Sequence, residues 1–513
     1  MEDEYVSLRR AELRIFIKRH SFMCAWALAL WIVALMAGCG GSSGQPTSGQ
    51  GNISVSVNGL LANTSVVLQN NGGDNLTISV NGTASFNRIY AVGSTYSITV
   101  LTQPLGESCT VTSNSSGVIQ NAVVLVAVTC IPNAVGGTLL PVPSVTGINY
   151  MPIVLDSGPS GIATRQINVP YVSVTVCPPN SSGVTLACQT IDHVQLDTGS
   201  TGLRLLNSAL YSNLNLPSAN PSGPAIGECV TFGVGVTWGS VVLADIYLGG
   251  EVARSVPIQN IGAQPGGVTA VPAECSNTGA IQITQDALGA NGILGVGLFA
   301  NDCDLCLQQP VPATYYTCYA TGCTNSMVTQ LQVVQNPVAS FAKDNNGVLI
   351  QLPTVVASGA SAPFGGTLFF GIGTNTNNLL GTLTKVYSTD IYGTITTTYN
   401  GSTYTSVIDS GSNALFFDDA SIPLCKYSTW AYCPLSPFAV NATNIAATGT
   451  PSGPVSVSIV GVDPLASSVV AANIGGPAGG YFDWGLPFFF GKNVYTAISG
   501  KSTSGGPGPY FAY

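Results

Sequence analysis

An all-β fold follows from three features of the amino-acid sequence. From residue 52 onward, short runs rich in Val, Ile, Thr and Tyr alternate with Gly, Asn, Ser and Pro, the spelling of strands and turns. Apolar stripes with a 3.6-residue period are missing outside the N-terminus, so helices should be few and short. Charged residues make up 7% of the chain, against roughly 25% in an average soluble domain. Hydrophobic residues still reach 45% despite 60 Gly and 31 Pro, which excludes a disordered composition. At 513 residues the chain has room for two or three domains and a sizeable core.

The N-terminus reads as an address. Arg9, Arg10, Arg14, Lys18 and Arg19 precede an apolar run from Phe22 to Met36, followed by Ala37-Gly38-Cys39. A basic region, a short apolar stretch and small residues at the cut describe a secretory signal over 1–38. The tetrapeptide ending in Cys39 resembles the lipobox of bacterial lipoproteins, and that resemblance implies lipidation of Cys39. Gly40 rather than Asp follows, which in the lipoprotein sorting pattern points to the outer membrane or cell surface. A transmembrane anchor is the alternative, but roughly 15 apolar residues fall short of the span of about 20 that a bilayer needs. Residues 39–51, rich in Gly and Ser, form a flexible tether with a reach of roughly 20 Å.

Residues 52–131 form a self-contained unit of about seven alternating segments broken by turns such as NGGDN and NSSG. That pattern suggests a small Ig-like β-sandwich, acting as a spacer or adhesion module. Residues 132–165 are rich in Pro and Gly and read as a linker and domain entrance. The remainder, 166–513, is β-rich and contains an internal repeat, with halves of about 166–365 and 366–513.

The formal charge is −9 and no basic cluster follows the first twenty residues, which argues against nucleic-acid binding. Of fourteen cysteines, Cys24 lies in the signal and Cys39 in the lipobox-like tetrapeptide, and twelve remain. An even number in an exported chain reads as a disulfide framework. Proximity pairs Cys109 with Cys130, Cys177 with Cys188, Cys229 with Cys275 and Cys425 with Cys433. Cys303, Cys306, Cys318 and Cys323 make two more bridges with three connectivities open. A zinc site there is the alternative, but no His lies near.

The repeat carries the chemistry. Leu196-Asp197-Thr198-Gly199-Ser200-Thr201-Gly202-Leu203 and Ile408-Asp409-Ser410-Gly411-Ser412-Asn413-Ala414-Leu415 share one spelling: apolar, Asp, small hydroxyl, Gly, Ser, two small residues, Leu. Each copy is followed by a Gly-containing segment, Ile293-Leu294-Gly295 and Asp483-Trp484-Gly485. A strand delivers the Asp to a tight turn, Gly lets backbone amides approach the carboxylate, and neighbouring hydroxyls hold it. Two such loops brought together place two carboxylates close enough to share one proton.

These segments resemble the pepsin-like aspartic proteases over roughly 340 residues, in the right order. YVSVTVC through IDHVQLDTGSTGLRLL looks like the first-lobe strands and loop, ANGILGVGL like its Ile-Leu-Gly segment, and GTLFFGIG like the strand opening the second lobe. SVIDSGSNALFF resembles the second loop and FDWGLPFFFGKNVYTAI the closing segment. The same segments resemble an uncharacterised family of bacterial lipoproteins. The resemblance implies a bilobal fold, catalytic Asp197 and Asp409, inter-lobe hydroxyl contacts from Thr198 and Ser410, and hydrogen bonds from Ser200 and Ser412. It implies a peptide or protein substrate and no cofactor or metal; nothing in the sequence bears on oligomeric state. The sequence departs from the family at the flap, where Phe232 stands in the place of a Tyr and Trp238 is the substitute donor. It departs again at Arg204, where an aromatic residue is usual near the first subsites.

Other assignments fail on spacing or count. Asp156 in Leu155-Asp156-Ser157-Gly158-Pro159 also follows apolar residues, but Pro159 makes a different turn. The mature chain's one histidine, His193, would lie about 13 Å along a strand from Asp197, too far for a Ser-His-Asp or Cys-His site. Two functions therefore remain: an aspartic endopeptidase, or a non-catalytic binding or inhibitory surface protein on the same scaffold.

Overall fold

The computed structural model describes residues 49–513, apart from 61–63, 103, 105–106, 121–122, 133–136, 161 and 181–185. The signal segment and Cys39 lie outside the described residues. The chain is predominantly β, with 46% strand and 6% helix. No helix among the described residues is long and apolar enough to cross a membrane.

The N-terminal unit contains two sheets around one core. One sheet holds Gln50–Asn58 between Gly82–Ser85 and Val123–Pro132, with Glu107–Ser113 outermost. The other runs Asp74–Ile78, Val66–Asn70, Thr95–Thr102 and Ser116–Val118. Ile53, Val55, Val57, Val126 and Val128 of the first meet Val66, Leu68 and Ile98 of the second, as period-two alternation requires. The unit touches the rest of the chain where Val271 N–H donates to Val111 C=O at 3.2 Å.

Beyond it lie a 15-stranded sheet and a 7-stranded sheet. The larger includes, in order, Ala225–Phe232, Gly235–Leu248, Glu251–Ile261, Thr201–Leu206, Gly292–Val296, Gln189–Asp197 and Tyr171–Cys177. Its central strands are covered on both faces: every residue of Thr201–Leu206 and Gly292–Val296 is buried, and Gly292–Val296 accordingly reads as an unbroken apolar run. The smaller runs Ser452–Ile459, Phe438–Ile445, Ile395–Tyr399, Ser402–Ile408, Phe482–Trp484, Leu415–Phe416 and Gly475–Gly476. Its outer strand Ser452–Ile459 alternates strictly between exposed and buried residues, leaving one face to water.

Two expected boundaries move. The stretch 132–165, read as linker, contributes the strand Tyr150–Leu155. Six residues of it pair with Phe364–Phe370 on one side, and Val154 alone meets Tyr171 on the other. The division at 365/366 falls inside Phe364–Phe370, a strand of the larger sheet. Six disulfides form, Cys109–Cys130, Cys177–Cys188, Cys229–Cys275, Cys303–Cys306, Cys318–Cys323 and Cys425–Cys433. The cluster left open thus resolves into two short bridges, and no thiolate remains there for zinc.

Candidate functional site

Both Asp loops are built on the same plan. Gln189–Asp197 runs parallel to Gly292–Val296 with Asp197 opposite Gly295, and Thr201–Leu206 returns antiparallel to that same strand. Ser402–Ile408 runs parallel to Phe482–Trp484 with Ile408 opposite Trp484, and Leu415–Phe416 returns antiparallel to it. In each case a strand from later in the chain is wedged between the two that flank the Asp. The wedge clamps the loop: Gly297 N–H donates to Ser200 C=O at 2.9 Å and Leu486 N–H to Ser412 C=O at 2.7 Å.

The loops meet tip to tip. Asp197 Oδ1 accepts from Gly199 N–H at 2.7 Å, and its Oδ2 accepts from the Ser200 hydroxyl at 2.5 Å. Asp409 Oδ1 accepts from Gly411 N–H at 2.7 Å, and its Oδ2 from the Ser412 hydroxyl at 2.8 Å. The Gly199 amide reaches across to Asp409 Oδ1 as well, at 3.1 Å, so the two Oδ1 atoms share one donor. A methyl group on Gly199 would stand 2.6 Å from Asp409 Cγ, and one on Gly411 2.5 Å from Asp197 Oδ1. Only glycine lets the opposite carboxyl come this close.

Beneath the carboxyls the next residues cross over reciprocally. Thr198 N–H donates to Ser410 Oγ at 3.1 Å while Ser410 N–H donates to Thr198 Oγ1 at 2.9 Å. Each hydroxyl then donates onward, Thr198 to Ile408 C=O at 3.1 Å and Ser410 to Leu196 C=O at 2.9 Å. All four groups are buried, so they hold the loops in one register.

The environment of the pair is one-sided. Asp197 is 7% exposed, whereas Asp409 is half-buried, so water reaches the pair from the Asp409 side. Burial, then the Asp409 charge, hold the Asp197 carboxyl well above the usual carboxylate range; Ser200 and the Gly199 amide oppose this. Two carboxyls this close cannot easily ionise together, so over a range of pH they hold one proton between them. Such a pair can take a proton from one group while giving one to another, which is general acid–base chemistry.

A family profile described as "Protein of unknown function (DUF3443)" matches residues 145–513. The chain belongs to the DUF3443 family. No curated protein matches it. The matched span takes in both Asp loops and begins just before Tyr150–Leu155.

Elsewhere in this DUF3443 chain the expected residues fall in several places. Phe232 is half-buried at the tip of the hairpin formed by Ala225–Phe232 and Gly235–Leu248. Trp238 lies lower on that hairpin, buried against Tyr316 with ring centroids 5.3 Å apart, and its indole N–H has no hydrogen-bond partner among the described residues. Arg204 lines no surface. It is 1% exposed and donates to Glu228 Oε1 and Asp302 Oδ2, both at 2.8 Å. Asp156 caps its own turn through Gly158 N–H and pairs with His193 Nε2 at 3.1 Å, away from the Asp loops. Cys425, Cys433 and Asp463 come together, but the two cysteines are bonded and offer no metal ligand.

One residue of the site escaped the sequence. Asp483, quoted there only as part of a turn, is buried with its Oδ2 2.7 Å from Ser412 Oγ. The available signal was an acid inside the apolar run FDWGLPFFF, at the position that Ile293 fills in the first copy.

Proposed function

We propose that this chain is an exported, lipid-anchored aspartic endopeptidase, with a bilobal pepsin-like domain carried behind an Ig-like module. The observation that supports it most is the Asp197–Asp409 pair, drawn together on the Gly199 amide by two loops of matched construction. With one proton between them, the ionised carboxylate takes a proton from a water seated at the pair. The hydroxide so formed attacks the scissile carbonyl carbon, and the neutral carboxyl gives its proton to the carbonyl oxygen. The tetrahedral species then collapses: the C–N bond breaks, the leaving nitrogen takes the proton the base had gained, and one hydroxyl on the carbon returns a proton to the other carboxylate, leaving a carboxylic acid and a pair that again holds one proton. Ser200, Ser412 and the Gly199 and Gly411 amides keep the carboxyls aimed throughout, and no cofactor is required. Lipidation at Cys39 would hold the enzyme at the outer membrane or cell surface, where disulfides persist and its substrates are peptides or exported proteins.

Asp197→Asn and Asp409→Asn should each abolish cleavage of an unfolded protein at about pH 3–5, with the circular dichroism spectrum unchanged. Proteolysis that persists in either variant would sink the reading. A second reading, a binding or inhibitory surface protein on the same scaffold, draws on the hairpin: Phe232 has no hydroxyl, and the Trp238 indole is buried. A statine-type peptide separates the two. It should block cleavage if the pair is active, and it has no cleavage to block if the protein only binds.

A further inference from the structure

Ser412 faces two acids with one proton. Its Oγ lies 2.8 Å from Asp409 Oδ2 and 2.7 Å from Asp483 Oδ2. A hydroxyl donates once, so the second contact needs a proton from a carboxyl. The two acids are unequal holders of that proton. Asp409 is half-buried and also accepts from the Gly199 and Gly411 amides. Asp483 is 5% exposed, and its Oδ1 makes no hydrogen bond among the described residues. A buried carboxylate with one oxygen unsatisfied is the costlier ion, so the extra proton belongs on Asp483.

The arrangement has no counterpart in the first loop. Asp483 sits opposite Val407 in the parallel pairing of Phe482–Trp484 with Ser402–Ile408. The matching residue of the first loop, opposite Gln195, is the buried Ile293. Ser200 accordingly serves Asp197 alone among the described carboxyls.

We propose that Asp483 is a positioning residue: it donates to Ser412 Oγ and thereby turns the Ser412 hydroxyl onto Asp409 Oδ2. This rests on Asp197 and Asp409 being the reacting pair. A chain of donors pointing the same way strengthens each link and favours negative charge on Asp409. Once Asp483 ionises, Ser412 faces two charged acceptors, and a second negative charge stands beside the pair. The titratable groups around Asp483 are Asp409 and Asp197 from the loops and the phenol of Tyr481 on its own segment, with Asp418 beyond that phenol. Burial first, then the Asp409 charge, hold the Asp483 carboxyl well above the usual range, and no cation counters them. Asp483 would therefore set the alkaline limb of activity.

The test compares the full chain with Asp483→Asn, which can donate at every pH but does not titrate, and Asp483→Ile, which copies the first loop. With an unfolded protein as substrate, Asp483→Asn should keep kcat at acid pH and carry activity to higher pH than the native chain. Asp483→Ile should lower kcat about tenfold with KM unchanged, the worth of one hydrogen bond to a charged group. A native pH profile in the Asn variant, or native kcat in the Ile variant, would overturn the proposal. Thermal unfolding supplies a readout that needs no activity. The native chain should lose stability with rising pH more steeply than Asp483→Asn, and equal slopes would overturn the proton on Asp483. If the native chain cleaves nothing at any pH, the protease reading fails, and the unfolding slopes still decide where that proton sits. Should Asp483→Ile not fold, the Asn variant carries both comparisons.

Discussion

The two Asp loops share a backbone and differ in what stands behind them. Behind the first is a charged cluster: Arg204 donates to Thr201 C=O at 2.6 Å, to Glu228 and to Asp302, and Tyr315 donates to Asp302 at 2.8 Å. Phe416 occupies the matching position of the second loop and leans on Trp430. The polar contacts there are neutral: Trp484 Nε1 donates to Asn444 Oδ1 at 2.9 Å, and Ser406 and Thr397 share a hydrogen bond of 2.6 Å. Asp483, the buried acid at the second loop's base, has no cation against it among the described residues. Register thus fixes the geometry of both loops equally, while the residues behind them set different electrostatics. An acid–base pair needs that difference, because its members must hold opposite protonation states.

The largest effect should come from the charged cluster. Arg204→Met leaves the buried Glu228–Asp302 pair, one proton held between them, without the cation that balances its charge and should cost about 3–5 kcal/mol in urea unfolding. Phe416→Leu at the matching site should cost about 1 kcal/mol. Equal losses would erase the contrast between the loops. A smaller and symmetric effect is expected at the tips. Gly199→Ala and Gly411→Ala each drive a methyl into the opposite carboxyl, and either should lower cleavage about a hundredfold, as displacements near 1 Å do. Tolerance of one alanine but not the other would show that the tips are not equivalent.

Much of this was legible in the sequence because it depends on local spelling. Turn residues between β-branched runs gave the strands, and the spacing of an even number of cysteines gave four of the disulfide pairs. The repeated Asp-hydroxyl-Gly-Ser gave both loops, since each residue type has a local job there. What stayed hidden depends on register between distant strands. Asp483 matters only because its strand lies beside Ser402–Ile408, more than seventy residues earlier. Arg204 read as a neighbour of the first subsites because Glu228 and Asp302 reach it from other parts of the chain. Tyr150–Leu155 passed for linker because Pro152 interrupts it. With one position paired to Tyr171–Cys177 and six to Phe364–Phe370, the strand has an unpaired side that tolerates proline.

The last prediction concerns no substitution but stability as a function of pH. Burial raises the carboxyls of Asp197, Asp302 and Asp483 well above the usual range. Above the ordinary Asp value of about 3.9, the unfolded chain has released these protons while the folded chain still holds them. Folding then binds protons, so stability must fall as pH rises, by about 1.4 kcal/mol per pH unit for each proton held. The fall continues until pH passes the raised folded values. Asp419 works the other way: hydrogen bonds from Ser421 and Tyr399 outweigh its burial and lower its carboxyl, so its contribution is lost below about pH 4. The midpoint of thermal unfolding, measured at constant ionic strength, should therefore peak in mild acid and decline toward neutrality. A peak at pH 7 or above would mean that the buried acids of both loops are ionised in the folded chain. In that case the contrast between a compensated first loop and an uncompensated second one would not govern the site.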